Sequence, residues 1–349
     1  MKNILLALLC VGVFTSSSFG QGCVAVRHMS CSVGTGANSN SMMHPGQWQV
    51  SLGFRSLHSY KHYVGADYQP AREAAGTNVI NDQQGFDLGV TYSITDRLSM
   101  AVNLPLNFNY RTSLYEHYGN AVAGNPLQKR FGTMANGIGD ARITASYWLL
   151  DPLKHMKGNL SVGLGVKLPT GDWNVQDQFH RRATDGSDYT ITKAVDQSIQ
   201  LGDGGTGFTV ELNTFYNFKH NFGVYGNLYY LMNPREQNGT RTYRETLSPF
   251  LANEAIMSVP DQYMLRGGFN YSFNHIKGLS VAAGARLEGI PVHDLVGGSG
   301  DFRRPGYIWS VEPSVNYEYK KVTLFASVPF AVVRNRTQSV TDKESICGP

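Results

Sequence analysis

From Trp48 onward, apolar and polar residues alternate with a period of two. In "GFTVELNTFYNF", Phe208, Val210, Leu212, Tyr216 and Phe218 share one face of an extended chain, and Thr209, Glu211, Asn213 and Asn217 share the other. In "QWQVSLGF", Trp48, Val50, Leu52 and Phe54 oppose Gln49, Ser51 and Arg55. In "RLSMAVNLPLNFNY", seven apolar residues from Leu98 to Tyr110 oppose Ser99, Asn103, Asn107 and Asn109. The side-chain period of a β-strand is two, so each stretch predicts a strand with one oily and one polar face, and about eleven of them are legible.

The connections decide which face meets which solvent. Short links at Thr95-Asp96, Asp151 to Gly158, Lys219 to Asn221, Asn274 to Gly278 and Lys320-Lys321 alternate with long polar stretches near 61–83, 112–136, 172–206, 234–260 and 290–305. Short turns at one end and long loops at the other mark an outer-membrane barrel. A soluble sandwich would bury the apolar face, yet the opposite face carries Arg, Lys, Glu and Asp in strand after strand. The expected fold is therefore all-β: a transmembrane antiparallel up-and-down β-barrel of about twelve strands, its apolar face on lipid and its polar face on the lumen. Bacterial single-chain barrels have an even strand count. Either residues 23–46 supply the extra strand or the final one is missing, and the polar tail after Thr337 favours the second reading. Trp48, Tyr110, Trp148, Tyr229, Tyr230, Tyr307 and Tyr319 are candidates for interfacial girdles.

Composition agrees with this picture. The 349 residues are 16% charged and 11% aromatic, with 38 glycines and 19 tyrosines, a profile of a turn-rich β protein. Lys2 followed by the apolar run Ile4–Phe14 and small residues at Ser18 and Gly20 reads as a signal peptide over 1–20. Residues 21–46 are then a periplasmic leader or a lumen plug, and 47–349 the barrel. Once exported, Cys23 and Cys31 can close a disulfide, with Cys347 left over. A net charge of +4 spread along the chain gives no support for nucleic-acid binding.

The stretches "NGIGDARITASYWLL", "GVKLPTGDW" and "GDGGTGF" resemble the phenol-degradation MetA pathway family of outer-membrane transporters, and more loosely the FadL-type channels for hydrophobic compounds. The resemblance runs from about Gln47 to Arg336 and implies a barrel that handles hydrophobic solutes. The short N-terminal segment and the missing last strand depart from that family's pattern.

Arg55, Asp87, Asp140, Arg142, Lys167, Glu211, Arg266, Arg286, Glu288 and Glu312 are the expected lumen-facing charges. They guide a solute, or they form a paired network that fills a narrow barrel. No metal site is expected: the His28-Met29 and Met42-Met43-His44 groups match no ligand spacing, and "DGSD" (185–188) lacks the rest of a calcium loop. Gly202 to Gly205 lack the strand-to-helix setting of a phosphate cradle. No nucleophile accompanies the loop histidines, so an enzyme is not expected, nor a cofactor. The expected role is passive uptake or binding of a small hydrophobic or aromatic solute across the outer membrane, with lipid as the other partner. The alternative is a structural or partner-binding barrel with a blocked lumen. Oligomeric state is not legible.

Overall fold

The computed structural model describes residues 42–218, 221–242, 247 and 253–347. The expected signal segment, the leader up to residue 41, the His28-Met29 pair and the Cys23–Cys31 disulfide lie outside the described residues. In chain order the elements begin with β1 (Trp48–Ser59), β2 (Tyr63–Val64), β3 (Asp67–Tyr68), the helix α1 (Pro70–Ala74), β4 (Ile80–Ser93) and β5 (Leu98–Ser113). They continue with β6 (Phe131–Ile138), β7 (Arg142–Trp148), β8 (Gly158–Lys167), β9 (Gln176–Arg182), β10 (Asp188–Ala194), β11 (Gly207–Asn217) and β12 (Phe222–Met232). The rest are β13 (Gln237–Arg241), β14 (Ile256–Ser258), β15 (Gln262–Ser272), β16 (Leu279–Ile290), β17 (Gly306–Tyr319), β18 (Val322–Ser327), β19 (Phe330–Asn335) and the helix α2 (Val340–Cys347).

One antiparallel sheet of thirteen strands runs β1-β4-β5-β7-β8-β11-β12-β15-β16-β17-β18, with β6 also on β5 and β19 also on β17. Two positions in it are broken strands, and each break lies opposite a proline. On β5, Leu98–Asn103 pair with β7 and Leu106–Ser113 with β6, and Pro105 stands between. On β17, Tyr307–Val311 pair with β19 and Ser314–Tyr319 with β18, and Pro313 stands between. Proline has no N–H to give the ladder, so pairing lapses there. The carbonyls are still used: Gly139 N–H bonds Pro105 O at 2.8 Å and Val328 N–H bonds Pro313 O at 3.2 Å. Counting each broken strand once leaves eleven spanning positions among the described residues. The period of two predicts an unbroken strand through Asp140 and Arg142; the structure corrects this, with Gly139, Asp140 and Ala141 stepping out of the ladder.

The sheet is inside out. Trp48, Val50, Leu52 and Phe54 are 57–73% exposed, whereas Asn109 and Arg111 on the inner face of β5 are 4% and 2% exposed. Outward apolar residues from Met100 to Tyr110 cover ten residue steps of β5. At roughly 3.3 Å per step and a tilt near 40° this projects to about 25 Å, the height of the apolar band in outer-membrane barrels. Tyr229 is a correction to the girdle: it is 2% exposed and points into the lumen with Tyr225 and Leu231, because β12 places its odd-numbered residues inside.

The long connections carry structure of their own. β2–β3, β9–β10 and β13–β14 are separate hairpins. The tail beyond Thr337, expected as loop, turns into α2, capped reciprocally by Ser339 N–H on the Asp342 carboxylate and Asp342 N–H on Ser339 Oγ. No ladder among the described residues joins β1 to β18 or β19. These edges meet at the outer rim, where Gly65 and Arg336 exchange backbone bonds of 3.1 and 2.8 Å.

Candidate functional site: the occluded lumen

The long connection from β8 to β11 leaves the wall, enters the bore and returns, and three short motifs tie down its base. Asp140 accepts from Gly171 N–H at 3.0 Å and from Asp203 N–H at 3.1 Å. Thr170 Oγ1 donates to Gly139 O and accepts from Ala141 N–H, both at 2.8 Å. The "GIGDA", "LPTGD" and "GDGG" segments that carry the family resemblance thus meet in one knot. Lys167 completes it, pairing with Asp140 at 3.5 Å and also with Asp203. Two glycines make the close approach feasible: a Cβ on Gly202 would fall 2.5 Å from Gly171 O and 2.6 Å from the Asp140 carboxylate.

Beyond the knot, Val195, Ile199 and Leu201 pack on Ala135 of β6, with Val175 alongside. Lumenal amides hold the turn, Gln83 Nε2 bonding Ser198 O at 2.9 Å and Asn109 Nδ2 bonding Ile199 O at 3.0 Å. Asp196 is fully buried at the centre. Its two oxygens each receive an Arg304 nitrogen at 2.6 Å, and Arg111 NH2 lies 3.4 Å away. Burial alone would push this carboxyl up, but Arg111 and Arg304 together hold it well below the usual carboxylate range. Arg111 also grips Glu116 at 2.8 Å and Asn81 at 3.0 Å. The barrel wall, the inserted segment and the 291–305 loop are therefore joined through one carboxylate.

Beneath this latch lies a cavity of about 130 Å³. Apolar residues such as Leu231, Met257 and Ile290 line it together with Arg142, Lys167, Asp203, Ser258 and Arg304. Arg142 reaches Asp87 at 3.4 Å. The hydroxyl of Ser258 and Nε of Arg142 are buried without a protein partner.

The structure brings Asp140, Arg142 and Lys167 to the cavity wall and places Asp87 behind them. Arg55 sits opposite Gly85 on the neighbouring strand, within electrostatic reach of Asp87. Glu211 lies opposite Tyr229 and Gly163. A separate network holds the other four: Arg266 pairs with Glu312 at 2.7 Å, and Arg286 pairs with Glu288 at 2.8 Å and Glu312 at 4.0 Å. Asp196, Arg304 and Arg111 escape the sequence reading. The first two lie in loops without periodicity, and Arg111 lies one residue past the alternating stretch that ends at Tyr110, although its position puts it on the polar face.

No protein-family profile matches the chain, and no curated protein sequence matches it. Among solved structures it is similar to an outer membrane channel from Pseudomonas putida F1, at 14% identity over 84% of this chain and 94% of that one, with a TM-score of 0.49. It is similar to the P. putida toluene transporter TodX, at 12% identity over 80% and 72%, with a TM-score of 0.39. It is also similar to the translocator domain of the autotransporter NalP from Neisseria meningitidis, at 11% identity over 85% and 88%, with a TM-score of 0.44.

Proposed function

We propose that the chain is an outer-membrane channel, not an enzyme, that lets a small, largely apolar solute descend its own gradient. The single observation that carries this reading is the cavity under the inserted loop, lined by apolar and polar residues together. At about 130 Å³ it is close in size to an engineered protein cavity of about 150 Å³ that takes up benzene. Its apolar liners receive a ring, while Ser258 Oγ, buried without a protein partner, bonds one polar substituent. The charges around it are already engaged: Lys167 by Asp140 and Asp203, Arg142 by Asp87, Arg304 by Asp196. A charged solute would have to break an ion pair in a low-dielectric bore, which is costly, so a neutral one is favoured.

Equilibrium binding of radiolabelled neutral monocyclic compounds to the detergent-purified protein tests it. Saturable binding is expected, and Leu231→Trp, which fills the cavity, should weaken it. Binding confined to charged compounds, or unaffected by that substitution, would contradict the proposal. The buried Arg111–Asp196–Arg304 cluster favours a second reading, a sealed scaffold barrel. Planar-bilayer recording separates the two, because a scaffold stays non-conducting even when Asp196 is neutralised.

A further inference from the structure

Outside the bore, a second contact holds the same loop. His117, in the connection after β5, is 4% exposed although it belongs to an outer loop. Its ring stacks on Phe179 of β9 at 5.3 Å and lies 5.5 Å from Phe131 of β6. Its neighbour His180 stacks on Phe131 at 3.8 Å. The His180 backbone N–H donates to His117 Nδ1 at 3.1 Å, and His117 Nε2 is buried without a partner. This bond exists only while Nδ1 is unprotonated.

The charged groups around the ring come from three directions. On its own loop, Glu116 is turned to Arg111 and Ser113, each at 2.8 Å, and Tyr118 bonds Asp188. From β9 come His180, paired with Asp188 at 2.8 Å, and Arg181, which bonds the carbonyls of Glu116 and His117 at 2.9 Å. From β10 comes Lys193, over the Phe179 ring at 4.4 Å, while Lys129 lies over Phe131 at 4.9 Å. A proton on His117 would thus enter an aromatic slot flanked by cations, with the nearest carboxylate already committed.

We propose that this stack is an acid-operated latch: protonation of His117 breaks its bond to the His180 amide and releases the β9–β10 hairpin from the outer mouth. The release has a route into the bore. Residues 116 and 117 are tied to the hairpin through Arg181, and Glu116 shares Arg111 with Asp196, so moving the outer contact loosens the inner one. The neutral ring is the favoured state, since burial, and after it the nearby cations, hold His117 down at about 4 against the opposing Glu116. The latch stays shut at neutral pH and opens in acid. Its effect on flux rests on the channel reading above; the release itself does not.

Two readouts keep these separate. Deuterium uptake of residues 176–194 in micelles at pH 7.5 and pH 4, each corrected for intrinsic exchange, should rise at least roughly tenfold in acid. His117→Phe, which keeps the stack, and His117→Gln, whose side-chain oxygen accepts the same amide without titrating, should abolish the rise. Equal protection of the native hairpin at both pH values, or an unchanged response in His117→Gln, overturns the latch. Planar-bilayer current should rise in acid in parallel. Release without current at either pH overturns the channel reading and leaves the latch standing.

Discussion

Asp196 faces two guanidinium groups with one carboxylate, so its removal leaves a different deficit from that of an ordinary surface pair. In Asp196→Asn, Arg304 and Arg111 keep their charges in a buried site, and breaking such a cluster costs about 3–5 kcal/mol. The loss falls on the tip of the inserted segment, whose neighbouring anchors are the amides of Gln83 and Asn109. The expected result is a several-fold rise in single-channel conductance with the barrel still folded in gel migration; unchanged conductance with an intact fold would show that the segment does not close the bore. The pH ranges of the two latches do not overlap. Asp196 titrates in the fold below its ordinary value, so its contribution is fully present above the carboxylate range and fades only as pH falls below it. His117 has the reverse chemistry: the released state gains a proton from about pH 6.5 downward while the docked ring resists until about 4, so docking weakens across that window. His62 is held down to about 4 in the same way, by burial first, so the window alone does not single out His117; a conductance change centred there that His117→Gln removes and Asp196→Asn leaves in place belongs to His117.

At the scale of the element, the period of two was sufficient for the wall and insufficient for what fills it. Val102 and Asn103 on β5 show why the wall was legible: one step along the strand takes a side chain from 47% exposed on the lipid side to the lumen, and the contrast recurs on β1, β4, β12 and β17, though not on β18, where Val322 to Phe325 are all exposed. Arg at Val102 should impair insertion by about 2–4 kcal/mol near the midplane, while Arg at Asn213 on β11 should be accepted. Comparable yields of folded protein for both would contradict the orientation of the faces. What lies inside obeys no period. Asp196 is positioned by the closing of a loop through Asp140, Gly171 and Gly202, residues 30 or more positions apart in the chain, and one sequence shows no such meeting. The breaks of β6 from β7 and β18 from β19 were open to the eye, since Pro105 and Pro313 stand in plain sight, but alternation continues through both and hides them. Gly202→Ala tests the knot: the added methyl would press on Gly171 O, and the expected outcome is a loosened loop with faster exchange at residues 195–203 and an unchanged barrel.

At the scale of the molecule, the eleven spanning positions among the described residues have a consequence that an even number would not. Neighbours in the sheet alternate in direction, so β1 and the β18–β19 strand both run from the short-turn end to the long-loop end. They can join antiparallel only to a strand descending between them, and two copies inserted in the same sense cannot pair these edges antiparallel with each other. Along β1, the amides that face β4 are bonded, while alternate ones face the seam, where the described residues supply the rim contact of Gly65 with Arg336 and no ladder. In hydrocarbon an unpaired amide costs several kcal/mol, which makes this seam the weakest line among the described strands and the expected place for unfolding to begin. Hydrogen exchange in micelles should therefore divide β1 into two sets, every second amide of Trp48–Ser59 exchanging far ahead of its neighbours, whereas β5 and β16, with a ladder on both sides, exchange last. Uniform slow exchange along β1 would mean that a strand occupies the seam in the folded protein, and the barrel would then be closed at all depths and not at its rim alone.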